Sequence, residues 1–136
     1  MKEVKVNVLI ITHEEIGSAL LHAAETALGE LPLPTTVITV NYRTDPEALI
    51  LKLKNLIAKV DKDQGILVLT DLFGSTPSNI AANLQSCSRP IRVVAGLNLP
   101  MLIRVMNYAC LDLNTLAEKA ISGGKDGVIN CSGNHQ

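Results

Sequence analysis

Apolar and polar positions along this chain follow two periods that alternate, one of two residues and one of between three and four. Val4, Val6 and Val8 alternate with Lys5 and Asn7, and the run then turns wholly apolar from Val8 to Ile11. That pattern predicts a first strand over Val4–Ile11, buried on both faces at its far end. Thr12, His13 and Glu14 follow at its carboxyl end. Ile16, Leu20, Ala23, Ala24, Ala27 and Leu28 then recur at helical spacing up to Gly29, a helix stop. Thr35–Val40 is a β-branched run and predicts the second strand. Asp45 and Pro46 supply an N-cap and a proline at the first helical position. Leu49, Leu53, Leu56 and Val60 continue one face of that helix, and Ile50 and Ile57 widen it, which predicts a well-buried second helix.

Ile66–Leu69 predicts a third strand, followed by a loop over Thr70–Ser78. Thr76 and Pro77 read as N-cap and N1 of a third helix running to about Gln85. A fourth strand is expected at Ile91–Ala95, then a loop at Gly96–Leu99 and a helix from Pro100 to Asn107. A last helix from about Leu113 to Ile121 is expected to stop at Gly123 and Gly124. Val128–Asn130 reads as a short final strand, and a polar tail begins at about residue 131. Repeated strand–helix units without a linker or internal repeat imply one domain over residues 1–136. They predict an α/β fold, a three-layer sandwich around a mostly parallel central sheet. Sites in such sheets lie beyond the carboxyl ends of the strands. Three loops qualify: Thr12–His13, Asp71–Thr76 and Gly96–Leu99.

Composition sharpens this picture. Hydrophobic residues make up 47% of the 136 residues, yet the aromatics are only Tyr42, Phe73 and Tyr108. The core is therefore aliphatic, as suits a sheet covered on both faces. Twelve basic and thirteen acidic residues give a formal net charge of -1 with no block of one sign. Nucleic-acid binding lacks both its basic footprint and its stacking aromatics. Cys87, Cys110 and Cys131 are odd in number and widely spaced, which suggests neither a disulfide framework nor a metal site. Reduced thiols, no signal-peptide pattern and no membrane-length apolar run point to the cytoplasm, with any membrane link made through a partner.

The candidate chemistry gathers at the strand ends. His13 can act there as nucleophile, general base or metal ligand. Asp71, just past the third strand, can either fix the imidazole tautomer by accepting from one ring nitrogen or simply cap its turn. Gly74, Ser75, Thr76 and Pro77 lead into a helix whose first amides can hold an anion, or form an ordinary capped helix. They lack the lysine and spacing of a nucleotide-binding phosphate loop, and no dinucleotide fingerprint follows the first strand. His22 reads as a helix-surface residue and His135 as part of the tail. No metal site and no cofactor are expected.

Three segments, in order, carry a resemblance. They are IITH ending at His13, LTDLFGSTPSN from Leu69 to Asn79, and GLNLPML from Gly96 to Leu102. Together they resemble the IIA domain of the mannose/fructose type from the bacterial phosphoenolpyruvate-dependent sugar phosphotransferase system. The resemblance implies that His13 accepts a phosphoryl group from the phosphocarrier protein HPr and passes it to a histidine or cysteine of a IIB protein. It implies that Asp71 orients His13, that Thr76 lies near the phosphate, and that Asn98, Leu99 and Pro100 border the same cleft. It also implies a homodimer in which an antiparallel C-terminal strand, here Val128–Asn130, is exchanged. Two positions depart from the family pattern. Glu14 follows the histidine where glycine is usual, and Ser75 replaces a second glycine. A regulatory phosphoacceptor uncoupled from transport fits the same residues. An enzyme with His13 as base, or a pure binding module, fits fewer of them.

Overall fold

The computed structural model describes residues 5–133. The expected strand start at Val4 and the tail histidine His135 lie outside the described residues. The elements run β1 (Asn7–His13), α1 (Ile16–Leu28), β2 (Thr35–Val40), α2 (Pro46–Ala58), β3 (Ile66–Thr70) and α3 (Thr76–Asn83). A single 3-10 turn over Leu84–Ser86 follows α3. Then come β4 (Ile91–Ala95), α4 (Leu99–Asn107) and α5 (Leu113–Asp126). The four strands form one parallel sheet in the order β2-β1-β3-β4. Helices cover both faces, giving an α/β fold with a parallel central sheet.

The period-two alternation of the strands divides the core. Val8, Ile10, Leu67 and Leu69 face α1, α4 and α5, where they meet Ala24, Met101, Leu102, Val105 and Leu116. Leu9, Ile11, Ile66 and Val68 face α2 and α3, where they meet Leu53, Ile57, Ile80 and Leu84. Each wholly buried aliphatic side chain contributes roughly 1.5–3 kcal/mol. The strands are thereby held from both sides, and their carboxyl ends are fixed relative to one another.

Several sequence expectations change. β1 extends two residues further than its apolar run, because Thr12 and His13 keep pairing with Thr39 and Val40 of β2. The second helix is not well buried: only Leu53 and Ile57 are, and Leu51 is 64% exposed. It packs mainly against α3 and the 3-10 turn, where Leu53 and Ile57 join Ile80 and Leu84. In α3, Ser75 is the N-cap, so Thr76 and Pro77 occupy the first two helical positions. The last helix does not stop at its glycines. A Cβ at Gly123 would lie 2.7 Å from the Arg104 Cβ, and one at Gly124 would lie 2.9 Å from the Met101 Cε. These glycines let α5 approach α4, and the helix ends only at Asp126, whose carboxylate accepts from Arg104 Nη1 at 2.8 Å. Val128–Asn130 forms no strand in the single chain. It is exposed, and a strand there needs a sheet edge it does not reach.

Candidate active site

The connections leaving β1 and β2 run to opposite sides of β1, outward to β2 and then back across to β3. The strand order therefore reverses between β1 and β3, and a crevice opens at their carboxyl ends. β1 delivers His13 to that crevice as its last residue, and the residue after β3 is Asp71.

Both groups are locked together. The backbone N–H of His13 donates to Asp71 Oδ2 at 3.1 Å, and the ring Nδ1 lies 2.9 Å from the same oxygen. Asp71 Oδ1 accepts from the Leu72 N–H at 3.1 Å. Burial pushes the Asp71 carboxyl upward, but hydrogen bonds from the ring and backbone of His13 outweigh it and hold it below its ordinary value of 3.8. An ionised carboxylate only accepts, so Nδ1 carries the hydrogen and the neutral ring keeps its lone pair on Nε2. The His13 side chain is 40% exposed and that of Asp71 12%. The carboxylate thus sits deeper than the imidazole it holds.

The turn that presents the ring is tightly built. Thr12 is wholly buried, and its Oγ1 accepts from the Gly17 N–H at 2.7 Å, satisfying an amide in the first turn of α1. Glu14 takes a left-handed backbone with φ 47°, and its N–H donates to the Val40 carbonyl at 2.9 Å.

Across the crevice, α3 starts without a side-chain cap. Ser75 turns its hydroxyl back to the Leu72 carbonyl at 2.6 Å, so it braces the loop and is not free to donate elsewhere. The first helical bond runs from the Asn79 N–H to the Ser75 carbonyl. The amides of Thr76 and Ser78 thus have no intrahelical acceptor. In α2, α4 and α5 the caps Asp45, Asn98 and Asp112 do accept from first-turn amides. Gly74 supplies the left-handed backbone, φ 83°, that folds this loop, and Pro77 is buried.

His13 and Thr76 share an open hollow of about 360 Å³ with Glu14, Val40, Asn41, Tyr42, Thr44 and Pro46. The β2–α2 wall of this hollow was not among the loops singled out from sequence, although it also follows a strand's carboxyl end. The signal was Asn41, whose Oδ1 accepts from the Arg43 N–H at 2.9 Å in a local turn. Thr70, buried and without a hydrogen-bond partner for its hydroxyl, was also passed over. Asn98 is spent elsewhere: Oδ1 accepts from Met101 N–H at 2.9 Å and Nδ2 donates to the Gly124 carbonyl at 3.1 Å. Leu99 packs against the core, and Pro100 lines a separate hollow between α4 and α5. None of these three lines the hollow of His13. Among the described residues, no three His, Cys, Asp or Glu side chains are grouped to hold a metal, and no helix is long and apolar enough to cross a membrane.

Known proteins resemble this chain over most of its length. Residues 7–121 match the family model described as the PTS system fructose IIA component. The mannose-specific EIIAB component of Escherichia coli (strain K12) is 32% identical over 123 residues, which is 89% of this chain and 38% of that protein. The chain thus spans well under half the length of that relative. The sorbose-specific EIIA component of Lacticaseibacillus casei is 30% identical over 100 residues, 72% of this chain and 70% of its own. The mannose/sorbose-specific IIA subunit from Enterococcus faecalis superposes with a TM-score of 0.83 at 25% identity, covering 95% of this chain and 96% of its own.

Proposed function

The chain belongs to the PTS fructose IIA family, whose members are phosphoryl carriers, and from that premise we propose that its phosphoryl group is carried on Nε2 of His13. The supporting observation is the pairing of Nδ1 with Asp71 on a ring whose side chain is 40% exposed, with no hydrogen bond to Nε2 among the described residues. The donor in this reading is phosphorylated HPr, and the acceptor is a histidine or cysteine of a IIB protein, in the cytoplasm.

The Nε2 lone pair forms a bond to phosphorus as the donor's N–P bond breaks, and the donor imidazole, already protonated on its other nitrogen, leaves with that electron pair as a neutral ring. No proton has to move. His13 keeps its hydrogen on Nδ1 and becomes a phosphorylated imidazolium, whose charge Asp71 balances. Transfer of this kind depends on positioning and charge stabilisation. The Thr76 amide, which has no intrahelical acceptor, and the Thr76 hydroxyl meet charge on the transferred oxygens. Gly74 and Ser75 set the loop, and Pro77 starts the helix. Asn98, Leu99 and Pro100 hold α4 against α5 and do not touch phosphate. Mass measurement after incubation with phosphoenolpyruvate, enzyme I and HPr tests the carrier reading. The wild type gains one phosphoryl mass and H13A gains none; a phosphorylated H13A protein rules His13 out.

We also propose that two copies exchange Val128–Asn130 as an antiparallel strand. In the single chain this apolar segment is exposed. Light scattering at micromolar concentration tests this, because a 14.6 kDa species excludes it.

A further inference from the structure

We infer that Glu14 sets the phosphoryl-transfer potential of His13, its carboxylate standing at the hollow and opposing the charge that arrives there. The inference rests on the carrier reading given above and extends it to a residue which that reading does not use.

The backbone at Glu14 has φ 47°, a conformation that glycine adopts freely and glutamate adopts at a cost. Nothing in the packing calls for a glutamate. Its side chain is exposed and makes no hydrogen bond or ion pair among the described residues, while its backbone N–H alone ties it to Val40. Strain kept at a reactive residue's neighbour points to a role in the reaction. The turn fixes the backbone from which the side chain leaves. Thr12 clamps one end through Gly17, and the Val40 carbonyl holds the Glu14 amide. Glu14 then lines the same hollow as His13 and Thr76.

Glu14 has no ion-pair partner among the described residues. Asp71 is engaged with the ring, and Glu15 is acidic. The cation on the facing wall, Arg43, donates through Nε to the Tyr42 hydroxyl at 3.0 Å, and its guanidinium lies over that ring. When Nε2 gains a phosphoryl group, that doubly anionic group stands beside a carboxylate with no ion-pair partner among the described residues. The phosphorylated form is destabilised relative to the free one. Loading from the donor becomes less favourable, and unloading to the acceptor more favourable by the same factor. Glu14 thus makes this protein a phosphoryl donor of higher potential than a glycine at the same position would.

The measurement is the equilibrium constant for phosphoryl exchange between phosphorylated HPr and this protein, taken from the four free species by mass. It is independent of how tightly the two proteins dock, so a contact between Glu14 and the partner cannot mimic the effect. E14Q removes the charge and keeps the backbone demand, E14G removes both, and E15Q is a control of equal charge change outside the hollow. E14Q and E14G are expected to shift the equilibrium toward phosphorylated His13 roughly fivefold, the shift shrinking at high salt. E15Q is expected to change it less than twofold. E14G alone is expected to raise the melting temperature. An unmoved E14Q beside a phosphorylated wild type overturns this inference alone, as does an E15Q shift equal to that of E14Q. A shift in E14G without one in E14Q assigns the effect to the backbone and overturns it too. A wild type that takes no phosphoryl group overturns the carrier reading and this inference together.

Discussion

The two turns that meet at the crevice are built in opposite ways. The one between β1 and α1 is fastened to the body of the protein. Thr12 is buried and bonded to Gly17, Glu14 is bonded to Val40, and Gly17 lies against Ile10 and Val37. The loop between β3 and α3 is tied mostly to itself. Ser75 bonds Leu72 through both its hydroxyl and its amide, and Phe73 is 84% exposed. The carboxylate of Asp71 is the link from this loop to the first turn. In the proposed reading His13 is a nucleophile, which must be held to within a fraction of an ångström to attack efficiently, and it stands on the packed turn. Amides that receive a group from another protein must be reachable, so they belong on the open one.

Cutting the link between the turns should have the largest effect short of removing His13. D71A takes away the acceptor that fixes the tautomer, and phosphoryl transfer is expected to slow on the order of 10²-fold or more. The fold should survive, because Asp71 is outside both core clusters. Stopped-flow transfer from phosphorylated HPr, with circular dichroism as the folding control, makes the check. An unchanged rate would mean that the open loop does not orient the ring. The same link gives a pH signature. The folded-state pKa of Asp71 is lowered, so its stabilisation is complete above the unfolded value and is lost as pH falls through the folded one. In D71A the fall of melting temperature below about pH 4 should be shallower by that contribution.

The sequence was most legible where one physical demand ruled a residue. The apolar runs of β2, β3 and β4, the Asp45–Pro46 start of α2 and the left-handed Gly29 depend on local pattern, and each stands at or within one residue of where it was expected. His13 and Asp71 were legible because the topology brings strand ends together whatever the details. What misled was tertiary. Gly123 and Gly124 have the local signature of a helix stop, yet their missing side chains serve the approach of α4. The apolar face of α2 has the period of a buried helix, and Leu53 and Ile57 are buried with Leu49, Ile50 and Val60 packed beside them, yet Leu56 on the same face remains exposed. In the same way, Ser75 has a hydroxyl suited to a phosphate, and only the folded loop spends it on Leu72. The family likeness supplied the roles, and periodicity supplied the places.

A smaller change distinguishes the packed turn from the open one directly. Alanine at Gly17 would put a Cβ 2.8 Å from both the Ile10 Cγ2 and the Thr12 Oγ1, and 3.2 Å from the Val37 Cγ1. Ile10 and Val37 belong to the strands and Thr12 is itself buried, so little can yield. Overpacking of this kind costs about 1–3 kcal/mol. Alanine at Gly74 meets nothing within 4 Å, and only its φ of 83° resists, which costs about 1 kcal/mol. G17A should therefore melt lower than G74A, by several degrees at the upper end of that range. It should also slow transfer at His13, because relief of the clash has to move Thr12, the neighbour of His13. Paired thermal melts and transfer rates for the two variants make the comparison. If G74A proves the more damaging on both measures, the open loop and not the packed turn governs where the imidazole stands.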